Sequence, residues 1–309
     1  MLRFVWLSLA LTLCGSAAER PARLLRVPVW SEARNGEPAR LDAADLTAKL
    51  SGSAARIVRA LGPDDGLMVL LVLDLTEDLS LAELAKEALA TEILRLPSHV
   101  RVGLMRAHDG LRVLSDPVAD REPLVAAIRS LPVSGKAGLL ESLPAALRLA
   151  DAVLAKAAVR VAVLYVTDSS LYNYRDDYIN PVINYSDQHD LSRRFPEGLV
   201  NERIARLQRQ MAVFQTPLFI VHLDYRSARL EQAYQTGLMQ LAAALGGASE
   251  FCRSRQEIAT VISAVFGRLL RLNRVDIELP ELSEKLVQLQ LESPAGPLNH
   301  RSRFVLEAR

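Results

Sequence analysis

The chain has 309 residues, half of them hydrophobic, with 37 Lys and Arg set against 36 Asp and Glu. That length buries a sizeable core without help from disulfides, and only two cysteines, Cys14 and Cys252, are present. The near-balance of charge gives no sign of the strongly basic character that marks many nucleic-acid binders.

The first eighteen residues read as a secretory leader. Arg3 supplies a positive start, and Phe4 to Leu13 is an apolar stretch too short to cross a bilayer. Ser16-Ala17-Ala18 offers small residues for cleavage after Ala18. Residues 1–18 are therefore expected to be a signal peptide. The mature protein is expected to be exported, periplasmic or secreted, with no membrane span and with Cys252 as its lone thiol.

Residues 19–65 form a β-rich N-terminal segment. Leu24 to Trp30 alternates apolar and polar, as a half-buried strand does, and Asn35-Gly36 marks a turn. Gly62-Pro63-Asp64-Asp65-Gly66 breaks the pattern. From 66 to 272 the periodicity changes. Leu67 to Leu73 is a continuous apolar run ending in Asp74, the signature of a strand buried on both faces of a parallel sheet. A helix follows from Leu79 to Leu96, stopped by Pro97. His99 to Met105 is a second strand, Gly110 to Leu114 a short one beside it, and Asp120 to Leu131 and Leu139 to Leu154 are helices. Val159 to Thr167 is another buried run ending in Asp168. Ser169 to Gly198 has no core periodicity. Leu199 to Val213, Leu230 to Leu245 and Ile258 to Leu270 are helical, with a strand at Pro217 to Leu223. The alternation predicts a Rossmann-like α/β fold: an open, mainly parallel sheet with helices on both faces. The tail, 273–309, returns to a period of two at Arg274 to Leu279, Lys285 to Leu291 and Ser302 to Leu306. These three strands, with Leu24 to Trp30, predict a small β satellite fed by both chain ends.

Ligands of open parallel sheets bind outside the carboxyl ends of the strands. Asp74, Thr76 and Asp78 follow the first core strand, and Asp168, Ser169 and Ser170 follow a later one. Carboxylates and hydroxyls converging on one rim suit a hard divalent cation. Leu70-Leu-Val-Leu-Asp74-Leu-Thr76-Glu-Asp78 resembles the first strand and D-x-S-x-S motif of von Willebrand factor A domains. Val163-Leu-Tyr-Val-Thr-Asp168-Ser169 resembles their T-D-G strand end. Asn35-Gly36-Glu37-Pro38, Leu41 to Asp45 and the β tail resemble the flanks of an exported bacterial subgroup, the VWFA-related domain proteins.

The resemblance implies a metal-ion-dependent adhesion site (MIDAS) holding Mg²⁺ or Ca²⁺ through Asp74, Thr76, Asp78 and Asp168. It also implies departures from that pattern. Asp78 stands for a serine, Ser169 for a glycine, and Ala137, near Lys136, for the threonine that completes the site. The same residues also fit a degenerate site without metal, in which Lys136 neutralises the carboxylates.

The insertion is the second candidate. Tyr172, Tyr174, Arg175, Tyr178 and Tyr185 follow Asp168 over the same rim, a composition favoured at protein interfaces. No glycine-rich phosphate loop follows a strand, which weighs against nucleotides, and no G-x-S-x-G elbow offers a nucleophile. The expected function is non-enzymatic binding of a protein partner. The alternatives are a metal-dependent hydrolase of exported substrates and a scaffold subunit of an envelope complex.

Overall fold

The computed structural model describes residues 23–31, 40–171, 196–280 and 285–306. In chain order these form β1 (Leu24–Ser31), β2 (Thr47–Leu50), β3 (Ser53–Ala55), β4 (Ile57–Leu61), β5 (Leu67–Asp74), α1 (Leu79–Arg95), β6 (Val100–Arg106) and β7 (Arg112–Val118). Then come α2 (Glu122–Arg129), α3 (Leu139–Lys156), β8 (Arg160–Thr167), α4 (Pro196–Met211), β9 (Leu218–His222), α5 (Arg229–Ala244), β10 (Ala248–Phe251) and α6 (Glu257–Leu270). The tail adds β11 (Asn273–Glu278), β12 (Leu286–Glu292), β13 (Leu298–His300) and β14 (Arg303–Val305). The expected leader, the expected turn at Asn35-Gly36 and residues 172–195 lie outside the described residues.

The central sheet has the order β10-β9-β8-β5-β6-β7, parallel except for β7, which runs antiparallel to β6. Every residue of β8 is buried, because helices cover both faces. Leu71 and Leu73 pack with Leu89 and Ile93 of α1 and with Ile262 and Phe266 of α6. Leu70 and Val72 face the other way, toward Leu143 and Leu147 of α3 and Leu238 and Leu241 of α5. Each such leucine contributes about 2–3 kcal/mol by leaving water, which explains the unbroken apolar runs. The fold is the expected Rossmann-like α/β sheet. The edge strand differs in extent: β7 runs from Arg112 to Val118, through Pro117, which an edge position tolerates.

The two chain ends build more than the expected four-stranded satellite. They form two four-stranded sheets, β13-β1-β11-β4 and β14-β12-β2-β3. Val27, Val29, Val275 and Ile277 of one sheet share a core with Ala48, Leu50, Leu289, Leu291 and Phe304 of the other. The additional strands β2, β3, β4 and β13 have three to five residues each, too few for alternation to stand out. The β2–β3 hairpin turns on Ser51 and Gly52, both at positive φ (47° and 86°), as a two-residue loop matching strand twist requires.

Arginines join this sandwich to the amino ends of the parallel strands. Arg160, fully buried at the start of β8, donates to the carbonyls of Leu270 (3.2 Å), Leu272 (2.8 Å), Pro63 (2.7 Å) and Asp65. Arg274 donates to Ala157 and Val159 and forks onto Asp276 at 2.6 and 3.0 Å. Arg26 reaches the carbonyl of Ala155, and Arg301 those of Ala212 and Phe214. The carbonyls of Ala155, Ala157, Val159, Ala212, Phe214, Leu270 and Leu272 lie in or just past the final turns of α3, α4 and α6, where carbonyls lack helical partners and carry the negative end of the helix dipole, whereas Pro63 and Asp65 belong to the loop before β5. Burial pushes Arg160 and Arg301 down to about 10, so both stay charged at neutral pH. No helix among the described residues is long and apolar enough to cross a membrane.

Candidate functional site at the sheet rim

The carboxyl ends of β5 and β8 lie side by side, with Asp74 in register with Thr167. Asp74 and Asp168 are both buried there, and each is held by backbone amides. Asp168 accepts from three successive N–H groups of the β5–α1 loop: Thr76 at 2.7 Å, Glu77 at 3.0 Å and Asp78 at 2.9 Å. Both its oxygens are used. Asp74 accepts from the Gly138 N–H through both oxygens at 3.1 Å and from the Tyr165 hydroxyl at 3.4 Å. Gly138 has no room for a side chain, since a Cβ would stand 2.0 Å from the Ala107 carbonyl oxygen.

Burial raises the Asp74 carboxyl to about 7, opposed by the Gly138 amide. Burial also raises Asp168, opposed by its three amides. Asp78 has a different task. It is the N-cap of α1, accepting from Ser80 N–H (2.8 Å), Leu81 N–H (3.3 Å) and the Ser80 hydroxyl (2.5 Å), which lowers its pKa.

A second group of side chains, absent from the sequence-based candidates, ties the loops together. Glu77 accepts from Ser170 N–H (2.7 Å) with one oxygen and from Arg226 Nη2 (2.5 Å) with the other. Arg226 also donates through Nε to Asp224 (2.8 Å), and Gln235 holds the Arg226 carbonyl at 2.7 Å. Burial opposes the Arg226 charge, but its bonds to Asp224 and Glu77 outweigh that and raise its pKa. Glu231, buried on α5, accepts from Leu171 N–H at 3.2 Å, and burial raises its carboxyl. The strand-end rule, applied to β9 as it was to β5 and β8, points to Asp224 and Arg226. Glu231 had a weaker signal, an acid on the core face of a helix.

Thr76 gives Asp168 its amide. Ser169 is buried, its hydroxyl 2.6 Å from that of Thr167, so it does not face a partner. Lys136 is exposed; its N–H donates to Asp109 at 3.0 Å and its carbonyl accepts from the Asp109 N–H. Asp74 is thus held by Gly138 and Tyr165, with Ala137 buried beside them. Tyr172, Tyr174, Arg175, Tyr178 and Tyr185 lie outside the described residues; the chain leaves the rim at Leu171 and re-enters at Pro196.

As a divalent-cation site this donor set does not fit. Both oxygens of Asp168 and both of Asp74 already accept hydrogen bonds, Asp78 is engaged as the cap of α1, and Ala137 brings no oxygen. Among the described residues no group of three or more His, Cys, Asp or Glu side chains is placed to hold a metal ion.

Nor, among the described residues, do the hydroxyls and rings near the rim form a nucleophile–base pair. His222 Nε2 meets the Ser169 carbonyl at 2.9 Å, while the Ser169 hydroxyl is bound to Thr167. Burial pushes the Cys252 thiol up to about 12, an inert group. What the rim exposes is Leu79, 63% accessible at the start of α1, and Tyr225, 40% accessible, with the Arg253 guanidinium 5.5 Å over its ring.

No protein-family profile and no curated protein matches the chain. Among solved structures it is similar to the PilB minor pilin from Streptococcus sanguinis, at 10% identity over 67% of this chain and 62% of that one, with a TM-score of 0.45. The chain thus spans less than two thirds of the pilin's length. It is similar to a von Willebrand factor type A protein from Catenulispora acidiphila at 11% identity, over 92% of this chain and 73% of that one, with a TM-score of 0.45. It is also similar to proximal thread matrix protein 1 from the mussel byssus, described with a zinc-occupied MIDAS motif. There the identity is 11%, the cover 71% of this chain and 48% of that one, and the TM-score 0.42. At these identities the likeness is one of fold.

Proposed function

We propose that this is an exported, non-enzymatic binding protein that presents the rim at the carboxyl ends of β5, β8 and β9 to a protein partner. The observation that carries this reading is the division of labour at the rim. Its acids Asp168, Glu77 and Glu231 are occupied in tying three loops together, while Leu79, Tyr225 and Arg253 stay exposed. Rigid loops lower the entropy cost of association, and aromatic and arginine side chains provide most of the energy at interfaces. The tyrosines of the insertion are of the residue type favoured at such surfaces. A hydrolase reading would need a nucleophile with a base beside it, and among the described residues the Ser169 hydroxyl is bound to Thr167 instead. The scaffold reading places the partner on the helical faces instead.

Replacing residues 172–190 with a short linker, which leaves Leu171 in the core, tests the reading. Partner capture from an envelope extract should be lost while the far-ultraviolet circular dichroism spectrum is kept. Crosslinks from the partner to residues 200–213, with capture undiminished in the linker variant, would establish the scaffold reading in its place.

A further inference from the structure

A cation in a rim of this kind would bridge acidic and hydroxyl groups from loops of different strands. The described residues already make that bridge by other means. Asp168, after β8, accepts from the amides of Thr76, Glu77 and Asp78 in the β5–α1 loop. Glu77, from that loop, accepts in return from the amide of Ser170 after β8 and from the guanidinium of Arg226 after β9. Two carboxylates cross in opposite directions, and the positive partner is an arginine. We infer that Arg226 is the resident cation of the rim, and that the three loops close through this reciprocal clasp without a divalent ion.

The chemistry of the groups supports the assignment. Guanidinium is a planar fork that can serve two carboxylates at once, and Arg226 does so with Glu77 and Asp224 from different loops. Its backbone is itself fixed by Gln235. A divalent ion drawing on Asp168 would compete with three part-buried amides for the same two oxygens. The inference concerns how the rim is built and uses no partner, so it stands or falls apart from the binding reading.

The test uses the full chain. Calorimetric titration of the wild type with Mg²⁺, Ca²⁺ and Mn²⁺ should give no saturable heat, and a chelator should leave the melting temperature unchanged. In Arg226→Met the melting temperature should fall by about 3 °C or more, as loss of a half-buried double ion pair implies for a chain of this size. Arg226→Lys, a point charge without the fork, should recover only part of the loss. Arg226→Met leaves Glu77 and Asp224 uncompensated, so Mn²⁺ should raise its melting temperature but not that of the wild type, a response that a merely structural role would not produce. A saturable wild-type heat abolished in Asp74→Ala would overturn the inference, as would an unchanged melting temperature in Arg226→Met. Should Arg226→Met fail to fold, the wild-type titration still decides.

Discussion

At the amino ends of the parallel strands, Arg26, Arg160, Arg274 and Arg301 donate to backbone carbonyls. At the carboxyl ends, Asp74, Asp78, Asp168, Glu77 and Glu231 accept from backbone amides. The contrast follows from the polarity of the fold. Where parallel strands lead into helices, as β5, β8, β9 and β10 do, helix N-termini and loop amides collect at one end of the sheet and helix C-termini at the other. Acids suit the first pole and arginines the second. The arginine pole is roofed by the β-sandwich. The acid pole carries the segment that departs at Leu171 and returns at Pro196.

The contrast predicts unequal costs of breaking each pole. Arg160→Met should be the most damaging change, lowering stability by about 3 kcal/mol or more, because it takes the donor from four buried or half-buried carbonyls at the junction of the two layers. Urea unfolding reads this, and a loss under about 1 kcal/mol would show that the junction does not depend on the arginine. Asp168→Ala comes next, at about 2–3 kcal/mol, since three amides lose one acceptor; Asp168→Asn, which keeps a carbonyl oxygen, should cost less.

The third prediction concerns pH. Burial lifts Asp74 from 3.8 to about 7, so the folded chain holds this proton where the unfolded chain has released it. Its contribution is fully present below the unfolded value and is lost as pH rises through the folded one. Stability should therefore decline between about pH 4 and 7. Asp168 and Glu231 are shifted the same way and add to the decline, so Asp74→Asn should make the slope shallower without abolishing it. Identical pH profiles of melting temperature for variant and wild type would contradict this. The smallest effect on stability belongs to Leu79→Ser, within about 0.5 kcal/mol because the side chain is exposed. That variant should nonetheless weaken partner capture, and undiminished capture would remove Leu79 from the contact surface.

Much of the acid pole was legible in the sequence. The apolar run from Leu67 to Leu73 had to be a doubly covered strand, and the same holds for Val161 to Val166. The residues that end them had to stand at the rim. Asp74 and Asp168 followed from that alone. The acceptor roles did not, because an amide donor belongs to the backbone and leaves no mark in the sequence. Arg160 reads as a flaw at the start of an apolar strand until the carbonyls of Pro63, Asp65, Leu270 and Leu272 are placed around it. The sandwich was half legible: β1, β11 and β12 have enough residues for their period of two to show, whereas β3 and β13 do not.

Local periodicity by itself determined the layers of this protein, the strand ends and the acids standing there, because burial of one face or two acts on neighbouring residues. What those acids bind was decided by tertiary structure. Asp168 is 92 residues from Thr76, Asp74 is 64 from Gly138, and Arg226 is 149 from Glu77. Across such separations a carboxylate can equally meet a cation, a lysine or an amide. Only the packing of α1, α3 and α5 against the sheet chose amides for Asp74 and Asp168, and a guanidinium for Glu77.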